Sequence, residues 1–514
     1  MHFALADAHD QFLLEQGRAP APAGWQSRAA GGWTLSHHPS LPVVEVTTSD
    51  GLLGGWLLGW PISDHGLITS AVTLPAGGWA AVEQVLGSWA GRFALVALHG
   101  SGGRVYLDAA GSLAAVYRPA TRRVASTVSA VLHDEPDHEV FHRPEGAFPA
   151  QRPNQYFPAG LTAVDDVSRL LPNHHLDLGT WQPARHHPTA MPARARRAAE
   201  VDDLVDEIVE LLTSTITTAL SVTPRGYLGL TGGRDTRTLL ACARGVLDRV
   251  ELVTFDYRRV GADPFDRSDV FAATRLLSDI DRPKHMLVVQ EEPREVLDRY
   301  MWRTGFAGNP GKARDFDVAC RRALEMDAAW MPGFLGELGR AVLWKEHDEL
   351  TDTPSPEELI RRLRLGSHYE FAVPMQEWLD RLPVDDDLMA VLDLGMLEHR
   401  SGAWASAHLY GAAPFRMNFM PFASRRLFDV MGRLPVEFRR QDRLADEVLR
   451  RTWPELAAFP YGGFTGVRRV VEGVRRRGGA LRKQLRRPGL LPTGRRPGDD
   501  RRRRQTGART GRQR

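Results

Sequence analysis

Residues 191–465 read as an α/β domain on a parallel sheet with a helical C-terminal part. Residues 1–190 ahead of it read as an α+β sandwich, and residues 466–514 as a disordered basic tail. Three observations predict this. At 514 residues the chain is long enough for two or three domains. Its composition, 43% hydrophobic and 25% charged, suits sizeable globular cores and excludes a wholly disordered chain, a collagen or a coiled coil. Near residue 192 the hydrophobic rhythm changes from short glycine-punctuated runs to strands alternating with helical stripes.

In the first domain the runs 93–98, 104–107 and 113–117 are apolar or alternating, and Gly100, Gly102, Gly103 and Gly111 separate them as turn residues. Trp33, Trp56, Trp60, Trp79 and Trp89 read as core of this β-rich part. The pairs His37-His38, His174-His175 and His186-His187 have no Cys or acid at ligand spacing, so they are expected in solvated loops rather than on a metal. After a charged linker at 192–199, Val201, Leu204, Val205, Ile208, Leu212, Ile216 and Leu220 keep helical spacing, which predicts a long buried-face helix. Strands are expected at 226–230, 252–255 and 286–289, with helices between them, at the spacing of βαβ units. Residues 357–450 are rich in helical pattern.

No run approaches the 18 apolar residues of a membrane-spanning helix, and no basic-then-apolar leader opens the chain; a cytoplasmic protein is expected. Cys242 and Cys320 are too few for a disulfide framework or a multi-cysteine zinc site. The net charge of +3 is unevenly spread: residues 468–514 hold 18 basic and 3 acidic side chains, or +15, which leaves −12 for the other 467. Such a tail suits at most weak, non-specific nucleic-acid contact, since no aromatic residue follows Phe464 to stack on bases. Only four lysines occur, Lys284, Lys312, Lys345 and Lys483.

Chemistry is easiest to site at Leu230-Thr231-Gly232-Gly233-Arg234-Asp235-Thr236, between a predicted strand and a predicted helix. Two glycines allow close backbone approach, a helix start offers free N–H groups to a phosphate, and Thr231 and Thr236 add hydroxyls. Asp235 in an anion site makes sense if it holds Mg²⁺ bridging phosphate oxygens. The pattern lacks the lysine of Gly-x-x-x-x-Gly-Lys-Ser/Thr loops, and Lys312 has the wrong glycine spacing. A plain strand–turn–helix corner capped by Asp235 or Thr236 accounts for the same residues.

Thr-Gly-Gly-x-Asp-Thr after the first strand of such a domain resembles the pyrophosphate loop of the asparagine synthetase family. Gly91-Arg92-Phe93, Leu107-Asp108-Ala109-Ala110-Gly111, Val124-Ala125-Ser126-Thr127 and Leu171-Pro172-Asn173-His174 resemble, in order, its N-terminal glutamine-amidotransferase domain, an Ntn-hydrolase-like sandwich. Gly333-Phe334-Leu335-Gly336-Glu337-Leu338, Leu397-Glu398-His399-Arg400 and Pro421-Phe422-Ala423-Ser424-Arg425 resemble three later segments. The resemblance covers roughly residues 50–460. It implies a nucleotide-binding domain that activates a carboxylate with ATP, releases pyrophosphate, and lets an amine displace AMP. Thr231, Gly232, Gly233, Arg234, Asp235 and Thr236 would then hold the phosphates, Phe255 would lie beside the nucleotide, and Asp235 and Glu337 would hold Mg²⁺.

The pattern breaks in three places. The cysteine expected after Met1 is His2, which implies an inactive glutaminase and the use of free ammonia or a substrate amine. The Glu and Arg expected ahead of Pro421 fall on Met417 and Phe419. The late lysine of adenylation is missing, and Arg443 is the nearest cation to replace it. A divergent ligase is therefore expected, joining some small-molecule or peptide carboxylate to some amine, as β-lactam-forming and peptide-cyclising members do. A nucleotide-binding scaffold without catalysis, or a tRNA-modifying enzyme with the same loop, is the alternative.

Overall fold

The computed structural model describes residues 5–142, 156–260, 268–278, 280–365 and 369–462. His2 and the basic tail lie outside the described residues. The chain divides into two units, Met1–Thr465 and Gly466–Arg514, of which the first holds the described residues. The first unit is mixed α/β, with two mainly antiparallel sheets followed by a parallel one.

One of these sheets has six strands; the other has seven in its main path and an eighth beside it, with one parallel pair at its edge, Val43–Thr48 with Val72–Leu74, and the two sheets face each other. Phe12, Leu14, Trp33 and Leu35 from one meet Trp56, Leu58, Ala94 and Val96 from the other in a single buried layer. The run at 93–98 is apolar throughout because both its faces are covered. Ala94, Val96 and Leu98 point into the sandwich, while Phe93, Leu95 and Ala97 pack under the helix Gly78–Ser88 with Val82 and Leu86. Ala90–His99 and Gly102–Leu107 pair as the expected antiparallel hairpin.

The expected strand at 113–117 is displaced. Asp108 accepts the backbone N–H groups of Ala110 (2.9 Å), Ser112 (2.9 Å) and Leu113 (2.9 Å), which commits these donors to a buried turn. The strand forms only at Val116–Arg118.

Two of the histidine pairs depart from expectation, whereas His186-His187 lies in a loop, as expected. His37 and the pair His174-His175 lie on strands, and His37 and His175 are buried. Their alternation carries one ring of the pair inward, where the imidazole fills core space. Among the described residues no group of three His, Cys, Asp or Glu side chains could hold a metal. Cys242 and Cys320 are free and buried.

In the second half, Gly226–Gly229 pairs in parallel with Val250–Asp256 on one side and Ala329–Met331 on the other. Lys284–Val288 and Met417–Asn418 complete the five strands, again in parallel. The 24-residue helix Ala198–Ser221 buries Leu204, Val205, Ile208, Leu212 and Ile216 against this sheet's core. Met417 and Phe419, where charges were expected from the resemblance, are fully buried in that core.

The helical part includes a π-helical stretch, Gly395–Ala405, that carries Glu398 and His399 into the interior. Burial penalises the charged ring of His399 and lowers it to about 4, against the opposing pull of Glu398. Burial and Arg104 lower His175 likewise to about 4. A histidine depressed in the folded state stays neutral while the unfolded chain takes up a proton below pH 6.5. Stability is therefore lost as pH falls from 6.5 to about 4, at about 1.4 kcal/mol per pH unit for each such ring. Urea unfolding of His399→Leu against the parent from pH 7 to pH 4.5 isolates one ring's share. Parallel slopes for the two proteins would contradict a buried neutral His399.

Candidate active site

The corner after Gly226–Gly229 is built to be tight. Leu230 donates its N–H to the Val253 carbonyl (2.7 Å) and accepts from the Thr254 hydroxyl (2.7 Å), which ties the loop base to the neighbouring strand. Thr231 Oγ1 accepts from the Gly233 N–H (3.0 Å) and lies 3.0 Å from Thr236 Oγ1, so the two hydroxyls clasp the turn. The helix Arg234–Cys242 follows without a side-chain cap at Gly233. Neither Asp235 nor Thr236 caps it, and no capping bond accounts for Asp235 at this position.

The second glycine-rich segment closes on that helix. A Cβ on Gly333 would sit 2.6 Å from Thr236 Cγ2, and one on Gly336 would sit 2.5 Å from Asp235 Oδ1. Both glycines are needed for close approach. Between them Leu335 adopts a left-handed backbone (φ 79°), a strain of about 1–3 kcal/mol for a non-glycine residue, and donates its N–H to Glu337 Oε2 (3.0 Å). Strain of this kind collects at functional sites.

Asp235 is mostly buried, and Arg340 Nη2 lies 3.2 Å from its Oδ2. Burial, with Glu337 and Asp442 adding like charge, pushes its carboxyl up to about 7 against the opposing pull of Arg340 and Arg234. The ionised form is thus under-compensated.

A cavity of about 250 Å³ opens at the carboxyl edge of the parallel strands, where ligands of such sheets bind. Thr231, Gly233, Asp235, Thr236 and Phe255 line it, with Tyr257, Phe316, Trp330 and Phe334 as its other aromatic walls. The remaining sequence-derived candidates stand elsewhere. Gly232 is buried behind the loop and donates its N–H to Asp269 (2.9 Å). Arg234 turns to the C-terminal helix, pairs with Asp442 (3.4 Å) and Asp446 (3.3 Å), and stacks 3.9 Å over Tyr461. Glu337 lies in the adjoining cleft with Arg340. Arg443 is half-exposed, paired with Glu447 (3.4 Å) and packed over Phe438.

Two cations stand near this site, one missed in the sequence and one set aside there for its glycine spacing. Arg340 is one. Lys312 is the other: it pairs with Asp315 (2.7 Å), and its Nζ stands 5.0 Å from the Phe316 ring and 5.5 Å from the Tyr257 ring, both cavity walls. The scarcity of lysine was the one signal that pointed to it.

No protein-family model matches the chain, and no curated protein matches it. Among the solved structures that match is the glutamine-dependent NAD+ synthetase from Acinetobacter baumannii in complex with adenosine diphosphate. It is 15% identical, with a TM-score of 0.15, and the match covers 28% of this chain and 28% of that one. A likeness of that extent bears on neither ligand nor reaction. The chemistry rests on the geometry.

Proposed function

We propose that the chain is an ATP-dependent, AMP-forming ligase that activates a carboxylate as its acyl-adenylate and passes it to ammonia or a substrate amine. One observation carries this: a buried, under-compensated Asp235 in the first turn of the helix, locked against Gly336 at the edge of an aromatic-walled cavity.

The cavity suits a nucleoside, with Phe255, Trp330 and Phe334 offering flat apolar faces to a base. The phosphates would run along Thr231–Thr236, where hydroxyls and the helix N-terminus favour anions. Asp235 and Glu337 fit Mg²⁺, which takes one or two carboxylates and completes its shell with phosphate oxygens and water. When bound it would neutralise charge on the departing pyrophosphate. Arg340 and Lys312 are placed to share that role where the family's lysine is missing, by holding charge that grows on the phosphate oxygens. Asp235 orients Arg340, and Asp315 orients Lys312.

Release of AMP and pyrophosphate on incubation with ATP, Mg²⁺ and a panel of amino acids and short peptides tests this. A nucleotide-binding scaffold is the second reading, favoured by Arg340 already resting on Asp235 and by the burial of Met417 and Phe419. Nucleotide binding with no release above background would select it.

Weak, non-specific nucleic-acid binding is proposed for the basic tail alone. Truncation after Gly466 should abolish it and leave ATP turnover intact. Each phosphate contact should contribute a slope of about −0.7 to −0.9 in log affinity against log salt. Tight tRNA binding by the truncated protein at physiological salt would instead favour an RNA-modifying enzyme.

A further inference from the structure

A second cavity, of about 480 Å³, lies between the strands Val116–Arg118, Ser168–Arg169 and Pro183–Arg185 on one side and the helix Ala372–Leu379 on the other. That volume falls within the usual range of small-molecule sites, about 300–1,000 Å³. Its lining shares no residue with the nucleotide cavity.

Arg169 is the unusual member of this lining. It is 6% exposed, and among the described residues no carboxylate pairs with it. Its Nη1 is anchored on the Gly402 carbonyl (2.9 Å) and the Ser406 hydroxyl (3.3 Å), while its buried Nε has no partner. Burial lowers its pKa to about 10 because no anion offsets the loss of water. A buried guanidinium without a counter-ion destabilises the fold, and such groups persist where something else needs them.

The other charges nearby cancel. Arg185 is matched by Glu398 (2.6 Å), and Arg381 at the rim by Glu377 (3.6 Å). The cavity therefore offers one net positive charge, held rigidly through Nη1. Tyr117 and Trp378, both buried, supply flat apolar walls.

We infer that this cavity binds a small organic monocarboxylate with a flat apolar body, its carboxylate on Arg169 and its body between Tyr117 and Trp378. A single charge matches the net +1, whereas a phosphate dianion would exceed it.

Titration calorimetry on the full chain with three probes tests the assignment. Phenylacetate has charge and ring, phenylacetamide the same shape without charge, and inorganic phosphate charge without a ring. Phenylacetate is expected to bind at least about tenfold more tightly than either control, the equivalent of about 1.4 kcal/mol. Arg169→Met should lose that binding and Arg169→Lys retain part of it. Equal binding of acid and amide, tighter binding of phosphate, no heat from phenylacetate, or unchanged binding by Arg169→Met would each overturn the proposal. Should Arg169→Met fail to fold, the three-probe comparison on the parent and Arg169→Lys decides it.

Discussion

Asp235→Asn is expected to lower ATP–pyrophosphate exchange by at least about 10²-fold and at the same time to raise the melting temperature of the nucleotide-free protein at pH 8. The first effect follows from losing a charged group that acts where charge develops. The second follows from linkage. Burial holds the folded carboxyl at about 7, well above its ordinary 3.8, so at pH 8 its ionisation opposes folding. An amide removes that opposition and still accepts from Arg340. The gain should shrink as pH falls from 7 and vanish near 3.8, where folded and unfolded chains are both protonated. Unchanged exchange in the variant would remove the glycine loop from the mechanism. A lower melting temperature at pH 8 would mean that the Asp235–Arg340 pair is chiefly a structural tie.

Glu398→Ala is expected to destabilise the protein by about 3–5 kcal/mol, the range for breaking a buried pair and leaving one charge behind. Glu398 is fully buried and accepts from four donors: Arg185 Nη1 (2.6 Å) and Nη2 (2.8 Å), Trp378 Nε1 (2.7 Å) and Asn173 Nδ2 (3.0 Å). Burial alone would raise its carboxyl, but Arg185 and the other donors more than offset this and hold it below the usual range. Its stabilisation is therefore present above pH 4.5 and lost as pH falls through the lowered folded value. Glu398→Gln keeps the shape and part of the bonding and should lose less. Urea midpoints at pH 7 measure both, and a loss under about 1 kcal/mol for the alanine variant would place the junction's stability elsewhere.

That junction also separates what was legible in the sequence from what was not. Leu171-Pro172-Asn173-His174 and Leu397-Glu398-His399-Arg400 were each visible as motifs, yet nothing local says that Asn173 reaches Glu398, 225 positions away. The βαβ rhythm was legible because apolar periodicity and glycine corners are set by neighbouring residues. For that reason the strands at 226–229 and 250–256 and the helix Ser268–Leu277 fall where expected.

The run at 113–117 was misread because Asp108 takes its donors through a turn that hydrophobicity does not register. The pairs His37-His38 and His174-His175 were misread because burial depends on which layer covers a strand, not on the residues beside it. By itself the sequence determined the strand–glycine–helix corner with Thr231, Asp235 and Thr236, whose requirements are local: backbone room, a helix start and short polar side chains. Tertiary structure alone brought Arg340 to Asp235 and Lys312 to the aromatic walls, and turned Arg234 away to Asp446. It also left Arg169 buried without an acid. The physical reason is range. Whether a long cation is paired, solvated or stranded depends on charges brought near by the fold, and those come from far along the chain.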